Sequence, residues 1–319
     1  MVINNSTLLN FINQGLDVAK AIPKYFSKYS NRIFTNHQHL VLIVLKQKLR
    51  STWRDLIELL KISSIPKVLR LKRIPHFTTL IKFSKRISPI LVNKLLAYSA
   101  KLSKPKKLKL GVDATGLALD NASRYYQVRL AVKRRRKSVI QVTACGLMDS
   151  LLVSSAQLNK YKSVRNNNFL PVVKKSAKLG EVEFVTADKG YDFNDNHKYV
   201  LQELKTNSYI KVREKMMGKR SAIRRRALRE FDEEIYHQRS KIETIFSMIK
   251  RKYGDALRGK STKTQIQEGY HKLLTHNLDR LCKLFLGLLE GFIRAAWMSS
   301  GCGKLFKERK NTGRGKNGT

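Results

Sequence analysis

Apolar residues recur at helical spacing from residue 39 to about residue 103, which predicts a series of short helices. Proline and polar residues separate these helices. Ser51 or Thr52 can cap the second helix, and Thr78 or Thr79 can cap the third. Short helices joined by turns are typical of a helix-turn-helix DNA-binding unit and equally of a plain helical bundle. No residue pattern identifies a recognition helix, so both alternatives stay open.

The period of the apolar residues changes after a short basic linker. Leu108, Leu110 and Val112 alternate with polar residues or glycine, and this period of two predicts a β-strand. Three antiparallel strands followed by alternating helices and strands predict a mixed α/β sheet covered by helices. The other elements expected from these patterns are strands over 125–132, 139–148, 181–187 and 208–212, and helices over 166–179, 197–204 and 222–253.

These patterns divide the chain into three parts. Residues 1–103 are expected to form a small all-α domain, and residues 104–298 an α/β domain completed by C-terminal helices. Residues 299–319 are rich in Gly, Lys, Asn and Arg. A segment with so few apolar residues buries little surface, so we expect this tail to be disordered.

The charge of the chain indicates the class of its partner. Sixty-five Lys and Arg against 23 Asp and Glu give a formal net charge of +42 over 319 residues. Such self-repulsion favours a polyanionic partner, of which nucleic acid is the first candidate and an anionic membrane surface the second. The apolar fraction of 42% allows a sizeable core, which argues against wholesale disorder.

The remaining composition indicates a soluble cytoplasmic protein. Three widely spaced cysteines offer neither a CxxC metal site nor a disulfide framework. Polar residues interrupt the N-terminal segment, and the most apolar stretch, 273–298, carries charged residues throughout. We therefore expect no signal peptide and no membrane span. A basic DNA-binding protein in this compartment would be associated with the nucleoid.

Two aspartates stand at the ends of expected strands. Asp113 follows the apolar positions of the first strand and, by alternation, should leave the sheet on the opposite, less apolar face. Asp188 stands at the C-terminal end of the strand over 181–187, where α/β folds place ligand sites. Either residue can also be an ordinary turn or cap residue, since Asp is common in both roles.

Four polar side chains are expected on one face of the helix over 222–253. At about 100° per residue, Tyr236, Arg239, Glu243 and Lys250 fall within an arc of roughly 60°. An apolar stripe beside them can pack on the sheet, so the helix would present the four groups together. The alternative is an ordinary solvated face on which Arg239 and Glu243 form an i,i+4 pair.

Three segments together resemble a known family, the DDE insertion-sequence transposases. The first two are similar to the segments that carry the first and second catalytic Asp of that family, and the third to its Y-R-E-K signature. The likeness covers roughly residues 37–280 in order, because the N-terminal helical region is also similar. The segments are Leu110-Gly-Val-Asp113, Asp188-Lys-Gly-Tyr-Asp192 and Tyr236-x2-Arg239-x3-Glu243-x6-Lys250.

The resemblance implies an RNase H-like core preceded by the helical domain, with Asp113, Asp188 and Glu243 as a catalytic, metal-binding triad. The implied cofactor is a pair of Mg²⁺ or Mn²⁺ ions. Mg²⁺ prefers oxygen ligands, and two ions can stabilise both the attacking and the leaving oxygen of an in-line displacement. Fifty-four residues separate Asp188 from Glu243. That number is too small for the large β-rich insertion of some relatives, so functions of that insertion are not implied.

Basic and aromatic residues near the triad are candidates for contacts with DNA. Arginine can hold a phosphate in a bidentate fork, lysine as a point charge, and tyrosine can bond a phosphate or stack on a base. Each residue alone could be an ordinary surface residue, but nothing in the chain neutralises the whole set. The candidates are Tyr236, Arg239 and Lys250, the run Lys133, Arg134, Arg135 and Arg136, and the pair Arg224 and Arg225.

The resemblance implies a transposase that cleaves DNA at the ends of a mobile element and joins the freed 3′-hydroxyl to target DNA. Its partners would be the element ends and the target. Holding two ends at once implies at least a homodimer on DNA, and no membrane contact is expected. Two alternatives stay open: an RNase H-like host nuclease that only hydrolyses, and a transposase-derived DNA-binding protein with a decayed active site.

Overall fold

The computed structural model describes residues 5–119, 139–160, 168–213 and 221–299. In the part of the chain before the first strand, the described residues form helices that match the helical expectation. They are α1 (Asn5–Ala19), α2 (Asn36–Lys48), α3 (Trp53–Ile62), α4 (Ile65–Val68), α5 (Phe77–Arg86) and α6 (Pro89–Leu102).

Side-chain caps fix where these helices begin. Thr52 caps α3 by accepting a hydrogen bond from the backbone N–H of Asp55 at 3.2 Å, so the cap is Thr52 and not Ser51. The expected cap of α5 by Thr78 or Thr79 is wrong. His76 is the N-cap residue. Thr78 already lies in the first turn, and its backbone N–H donates a hydrogen bond to Nδ1 of His76.

The described strands form one mixed sheet. They are β1 (Leu108–Leu119), β2 (Val139–Leu147), β3 (Leu152–Lys160), β4 (Val182–Ala187), β5 (Asn207–Ile210) and β6 (Ala256–Leu257). Strand β1 pairs antiparallel with β2 and β2 antiparallel with β3, whereas β4 lies parallel to β1 and β5 parallel to β4. The order is β3-β2-β1-β4-β5, with β6 parallel to the end of β1, which is the RNase H-like arrangement and confirms the expected fold class.

Two strand expectations need correction. Asp113 does not end its strand, because β1 continues to Leu119 through pairing with β2 and finally with β6. Strand β3 was not expected from the sequence. Ser154 and Ser155 in its middle are buried and polar, and they hide the apolar alternation. The strand expected over 125–132 lies outside the described residues.

The helices of the second half are shorter than expected. The single helix expected over 222–253 is three helices, because Glu230 ends the first and Asp232 starts the next by accepting from the backbone N–H of Ile235 at 3.1 Å. Arg239 is the N-cap residue of the third of these helices. The helices after β3 are α7 (Phe169–Ala177), α8 (Asn194–Lys198), α9 (Ala222–Arg229), α10 (Glu233–His237), α11 (Ser240–Tyr253) and α12 (Thr262–Ser299).

Helices cover both faces of the sheet. Helix α7 packs on one face, where Phe169 and Val172 join Leu110 and Val112 in a buried cluster. Helices α11 and α12 pack on the other face, in a larger cluster that also includes residues of α1, α2 and α6. The helical N-terminal part therefore shares a core with the sheet, and the domain boundary at residue 103 stays a prediction.

Two buried asparagines hold the edge strand β3 to the helices. Asn277 of α12 accepts from the backbone N–H of Val153 at 2.9 Å and donates to its carbonyl at 2.7 Å. Asn93 of α6 does the same for Ala156, at 2.8 Å and 3.0 Å. These amides satisfy backbone groups that an edge strand leaves unpaired, which closes this edge against pairing with another chain.

None of the described helices is long and apolar enough to cross a membrane.

Candidate active site

Asp113 and Asp188 lie side by side on neighbouring parallel strands. The register of β1 and β4 ends with Val112 opposite Ala187, and the residue that follows each of them in the chain is one of the two aspartates. Adjacent strands are about 4.8 Å apart, which brings the two carboxylates close together. The pairing of β1 with β4 therefore brings together two acids that are 75 residues apart in the sequence.

A pair of glycines lets helix α11 approach one face of the sheet closely. Gly111 and Gly146 are opposite each other on β1 and β2. A Cβ at Gly146 would lie 2.8 Å from Cδ1 of Ile245 and 2.9 Å from Cδ1 of Ile242, which is shorter than van der Waals packing permits. A Cβ at Gly111 would be in ordinary contact with Cβ of Ile242 at 3.5 Å but only 2.8 Å from Cε of Met148.

This close packing positions the third carboxylate. Asp113 lies two residues after Gly111 in β1, so its side chain leaves the sheet on the face that α11 covers. Glu243 follows Ile242, one of the residues that pack into the glycine gap. The glycines were not singled out from the sequence, where the signal would have been their equivalent positions in two paired strands.

The guanidinium of Arg239 pairs with two of the three carboxylates. Its Nη1 is 2.8 Å from Oε1 of Glu243 and 3.9 Å from Oδ2 of Asp113. Burial alone would lower the pKa of Arg239, but Glu243, Asp113 and Asp188 all act to raise it, and the net shift is upward. One cation therefore feels the field of all three acids of the expected triad.

Asp113 is more buried than Glu243. Its side chain is 21% exposed, against 52% for Glu243. Burial raises the pKa of Asp113, and the negative charges of Glu243 and Asp188 raise it further, while the backbone N–H of Ala114 and the charge of Arg239 act against the shift. Clustered carboxylates that raise one another's pKa are stabilised by a cation placed between them.

The donor set suits a hard divalent ion, because its members are carboxylate oxygens carried by two strands and a helix. Among the described residues, however, no three His, Cys, Asp or Glu side chains lie close enough to hold a metal ion. The carboxylates of Asp113 and Glu243 instead face the guanidinium of Arg239. In this conformation Arg239 supplies the positive charge that a metal ion would supply.

The loop that carries Asp188 is clamped from outside by Arg213. Residues Lys189–Tyr191 form a single 3₁₀ turn. The guanidinium of Arg213 donates to the carbonyl of Lys189 at 2.9 Å and to that of Gly190 at 3.0 Å. It also lies 5.5 Å from the ring centroid of Phe193. Arg213 was missed in the sequence, since it lies 25 residues after Asp188 in no recognisable motif.

Asp192 fixes the same loop from inside. Its buried carboxylate accepts from the backbone N–H of Arg213 at 3.0 Å, is 3.1 Å from Nε2 of His197, and forms an ion pair with Nε of Arg224 at 3.0 Å. Burial alone would raise the pKa of Asp192, but His197, the Arg213 N–H and Arg224 outweigh it and lower the pKa. His197 is held in turn by Ser208 of β5, at 3.0 Å.

Some of the residues expected to contact DNA are engaged inside the protein. Arg224 is 9% exposed, and its Nη2 donates to the carbonyl of Asp192 at 2.7 Å. Tyr236 is also 9% exposed and packs on Phe231 at 5.3 Å between ring centroids, with the guanidinium of Arg239 5.9 Å from its ring.

The other expected DNA contacts are further from the triad or outside the described part of the chain. Lys250 is half-buried on α11, about two turns after Glu243. Tyr236 belongs to the separate helix α10, whereas Arg239, the N-cap residue of α11, pairs with Glu243 in the i,i+4 manner. Arg225 is exposed on α9. Lys133, Arg134, Arg135 and Arg136 lie outside the described residues.

No curated protein matches the chain. The cryo-EM structure of a piggyBac transposase synaptic complex with hairpin DNA is similar at 10% identity and a TM-score of 0.44, covering 86% of this chain and 72% of that one. Residues 104–278, more than half of the chain and the whole of the described sheet, match the transposase DDE domain. The chain belongs to the transposase DDE domain family.

Proposed function

We propose that this chain is an active transposase, which cuts DNA at the ends of a mobile element and joins the freed 3′-hydroxyl to target DNA. The observation that supports it most is that Asp113 and Glu243 both face the guanidinium of Arg239 on the α11 face of an RNase H-like sheet, with Asp188 at the end of the strand next to Asp113. All three positions of the implied triad carry a carboxylate, which argues against a decayed site.

Asp113, Asp188 and Glu243 would hold the divalent ions, Mg²⁺ or Mn²⁺. Two such ions would supply charge stabilisation for both the attacking and the leaving oxygen of the phosphodiester. The part of the protein is to hold the ligands in place. Arg213 and Asp192 fix the loop of Asp188, and the glycine pair sets the depth of the helix that carries Glu243.

Arg239 would exchange partners during the reaction. Its guanidinium now faces the carboxylates of Glu243 and Asp113. A planar guanidinium binds phosphate in a bidentate fork as readily as it binds a carboxylate. Once metal charge replaces it, Arg239 can hold a phosphate of the element end beside the reacting bond. Tyr236 would support this guanidinium from its buried position.

The remaining contacts with DNA would follow from position and charge. Lys250 would act as a point charge on a phosphate about two turns along α11, and Arg225 would contact the backbone from α9. Lys133, Arg134, Arg135 and Arg136 stay proposed contacts. A homodimer on DNA and association with the nucleoid complete the proposal, since two element ends must be held together.

Strand transfer separates this proposal from the host-nuclease alternative. The test supplies the purified full chain with Mg²⁺, a labelled duplex that ends in the inverted repeats flanking its reading frame, and a circular target. We expect labelled donor covalently joined to the target. Nicking of the donor without joined product would support the nuclease, and binding without nicking would support the decayed DNA-binding protein.

A further inference from the structure

A pocket of about 350 Å³ opens in the helical N-terminal part, among α2, α5 and the segment between α1 and α2. Its wall is a continuous row of rings. Phe26 lies 5.6 Å from Phe83, Phe83 lies 4.8 Å from His39, and His39 lies 5.2 Å from Phe34, all between ring centroids. Neighbouring rings are tilted by 30–47°, and Phe26 and Phe34 are partly exposed, so separate aromatic faces line the pocket.

The rim of the same pocket is positively charged. Arg32, Arg73, Lys82 and Arg86 line it, and all four side chains are exposed. No carboxylate is among its lining residues in the described part of the chain. The guanidinium of Arg86 lies 5.8 Å from the ring centroid of Phe26, so charge and aromatic surface are directly adjacent.

One lining residue of the pocket, His39, has a polar atom that finds no hydrogen-bond partner among the described residues. His39 is 8% exposed, and among the described residues its Nε2 is buried without a hydrogen bond. Burial, with a smaller effect from Arg86, lowers the pKa of His39 to about 4, so the ring is neutral at pH 7. A buried ring nitrogen without a partner costs free energy unless a ligand bonds to it.

We propose that this pocket binds one unpaired nucleotide of DNA, with the base stacked on Phe34, the edge of the base directed towards Nε2 of His39, and the phosphates on Arg32 and Arg86. The inference rests on the proposed function, because it assumes that the chain binds DNA. It adds a second, non-catalytic DNA site that distinguishes an unstacked base from a base stacked inside a duplex.

The chemistry of the pocket favours a nucleotide over other ligands. Every base has a π-face that stacks on aromatic side chains, independent of sequence. Each base edge also carries donors and acceptors that can bond to the free nitrogen of His39. The four cations of the rim match the phosphates on either side of that base. A base that stays paired inside a duplex exposes no face to such a row.

The test compares two DNA duplexes of one sequence, one with blunt ends and one with an unpaired three-nucleotide end. The unpaired end carries 2-aminopurine, whose fluorescence reports stacking. The full chain is used in EDTA, so that no cleavage occurs. We expect tighter binding of the overhang duplex and quenched 2-aminopurine. Phe34→Leu should weaken binding of the overhang duplex by roughly fivefold to a hundredfold and leave blunt binding unchanged.

Matched variants keep the result independent of folding. Tyr29 is 84% exposed and outside the pocket, so Tyr29→Leu should change neither affinity. Arg86 is exposed, and Arg86→Ala should weaken only the overhang complex. Equal affinity of the parent for both duplexes, or equal losses on both from Phe34→Leu, would overturn the proposal. Retained overhang preference in a chain that fails strand transfer would support the pocket and reject the transposase.

Discussion

Arg239 holds the positive charge that the triad carboxylates now share, with Nη1 2.8 Å from Glu243 and 3.9 Å from Asp113. A divalent ion bound by the same carboxylates would have to displace it or sit beside a like charge. Arg239→Ala should therefore bind Mn²⁺ in the absence of DNA roughly tenfold more tightly, since a competing charge about 4 Å away has gone. The same change should weaken binding to an element-end duplex.

Calorimetric titration of Mn²⁺ and a DNA-binding assay measure the two effects separately. Arg225→Ala is the matched control, because Arg225 is an exposed arginine on α9 and makes no ion pair with the triad in the described structure. It should leave the Mn²⁺ affinity unchanged. Weaker Mn²⁺ binding in Arg239→Ala would mean that Arg239 orders the carboxylates, and that it does not compete with the ion.

Asp192 is the residue on which the loop of Asp188 depends. Its carboxylate is buried and meets His197, Arg213 and Arg224. Asp192→Asn leaves Arg224 without its counter-charge in a buried position, so we expect a loss of about 3 kcal/mol in the free energy of unfolding at pH 7. Urea unfolding at a series of pH values measures it.

The pH dependence of that loss follows from the direction of the pKa shift. Asp192 has a lowered pKa in the folded protein, so its contribution to stability is present above the unfolded value near 3.8 and is lost as pH falls through the folded value. The difference in stability between parent and Asp192→Asn should therefore shrink only at strongly acidic pH. A difference that is already small at pH 7 would contradict the network.

At this scale the sequence could name candidate acids but not the groups that hold them in place. Asp113, Asp188 and Glu243 could be named because each lies in a short local motif. Arg213 and His197 act across the fold, on carbonyls and carboxylates that only the packing of β4, β5 and the following loop brings near. Tyr236 and Arg224 were named for their charge or ring, but burial is set by tertiary packing.

Among the elements, the position of helix α11 depends on the absence of a side chain at Gly146. Gly146→Ala would put a Cβ 2.8 Å from Ile245 and 2.9 Å from Ile242, and the helix must then move away from β2. We expect a loss of about 1–3 kcal/mol in stability from this overpacking. Chemistry at the site should fall more than DNA binding, because Glu243 moves with the helix.

Thermal unfolding and a nicking assay test this prediction against a glycine with free space. A Cβ at Gly180 would meet nothing within 4 Å among the described residues, so Gly180→Ala should be neutral. Adding Ile245→Val to Gly146→Ala removes one of the clashing methyl groups and should restore part of the stability. Equal effects at Gly146 and Gly180 would show that the close approach does not matter.

Element boundaries were the weaker part of the sequence interpretation. The apolar alternation of β1 and β4 was clear, and both strands are present. Strand β3 was hidden because Ser154 and Ser155 are buried and bonded to the carbonyls of Cys145 and Val172, so polar residues occupy core positions. The helix over 222–253 was broken by the cap at Asp232, whose competing local hydrogen bond the apolar period does not reveal.

The net charge of +42 governs how the whole molecule meets DNA. Each phosphate neutralised by Lys or Arg releases a counterion, so the affinity for DNA should fall steeply as salt rises. A fluorescence titration without divalent metal, repeated across a salt series, gives the slope of log affinity against log salt. A slope near zero would reject the electrostatic account and favour the anionic-membrane alternative.

We propose that Asp113, Asp188 and Glu243 form one site for phosphodiester chemistry. Glu243→Gln keeps the shape of the side chain and removes the charge that binds metal. Glu203 is exposed and outside the triad, so Glu203→Gln is the control with the same change of charge. The direct measurement is Mg²⁺-dependent nicking of an element-end duplex by the parent and both variants, with DNA affinity measured in parallel. We expect Glu243→Gln to lose nicking by at least about a hundredfold while it keeps its DNA affinity, and Glu203→Gln to match the parent. Nicking by Glu243→Gln at the rate of the parent would contradict the assignment of the triad.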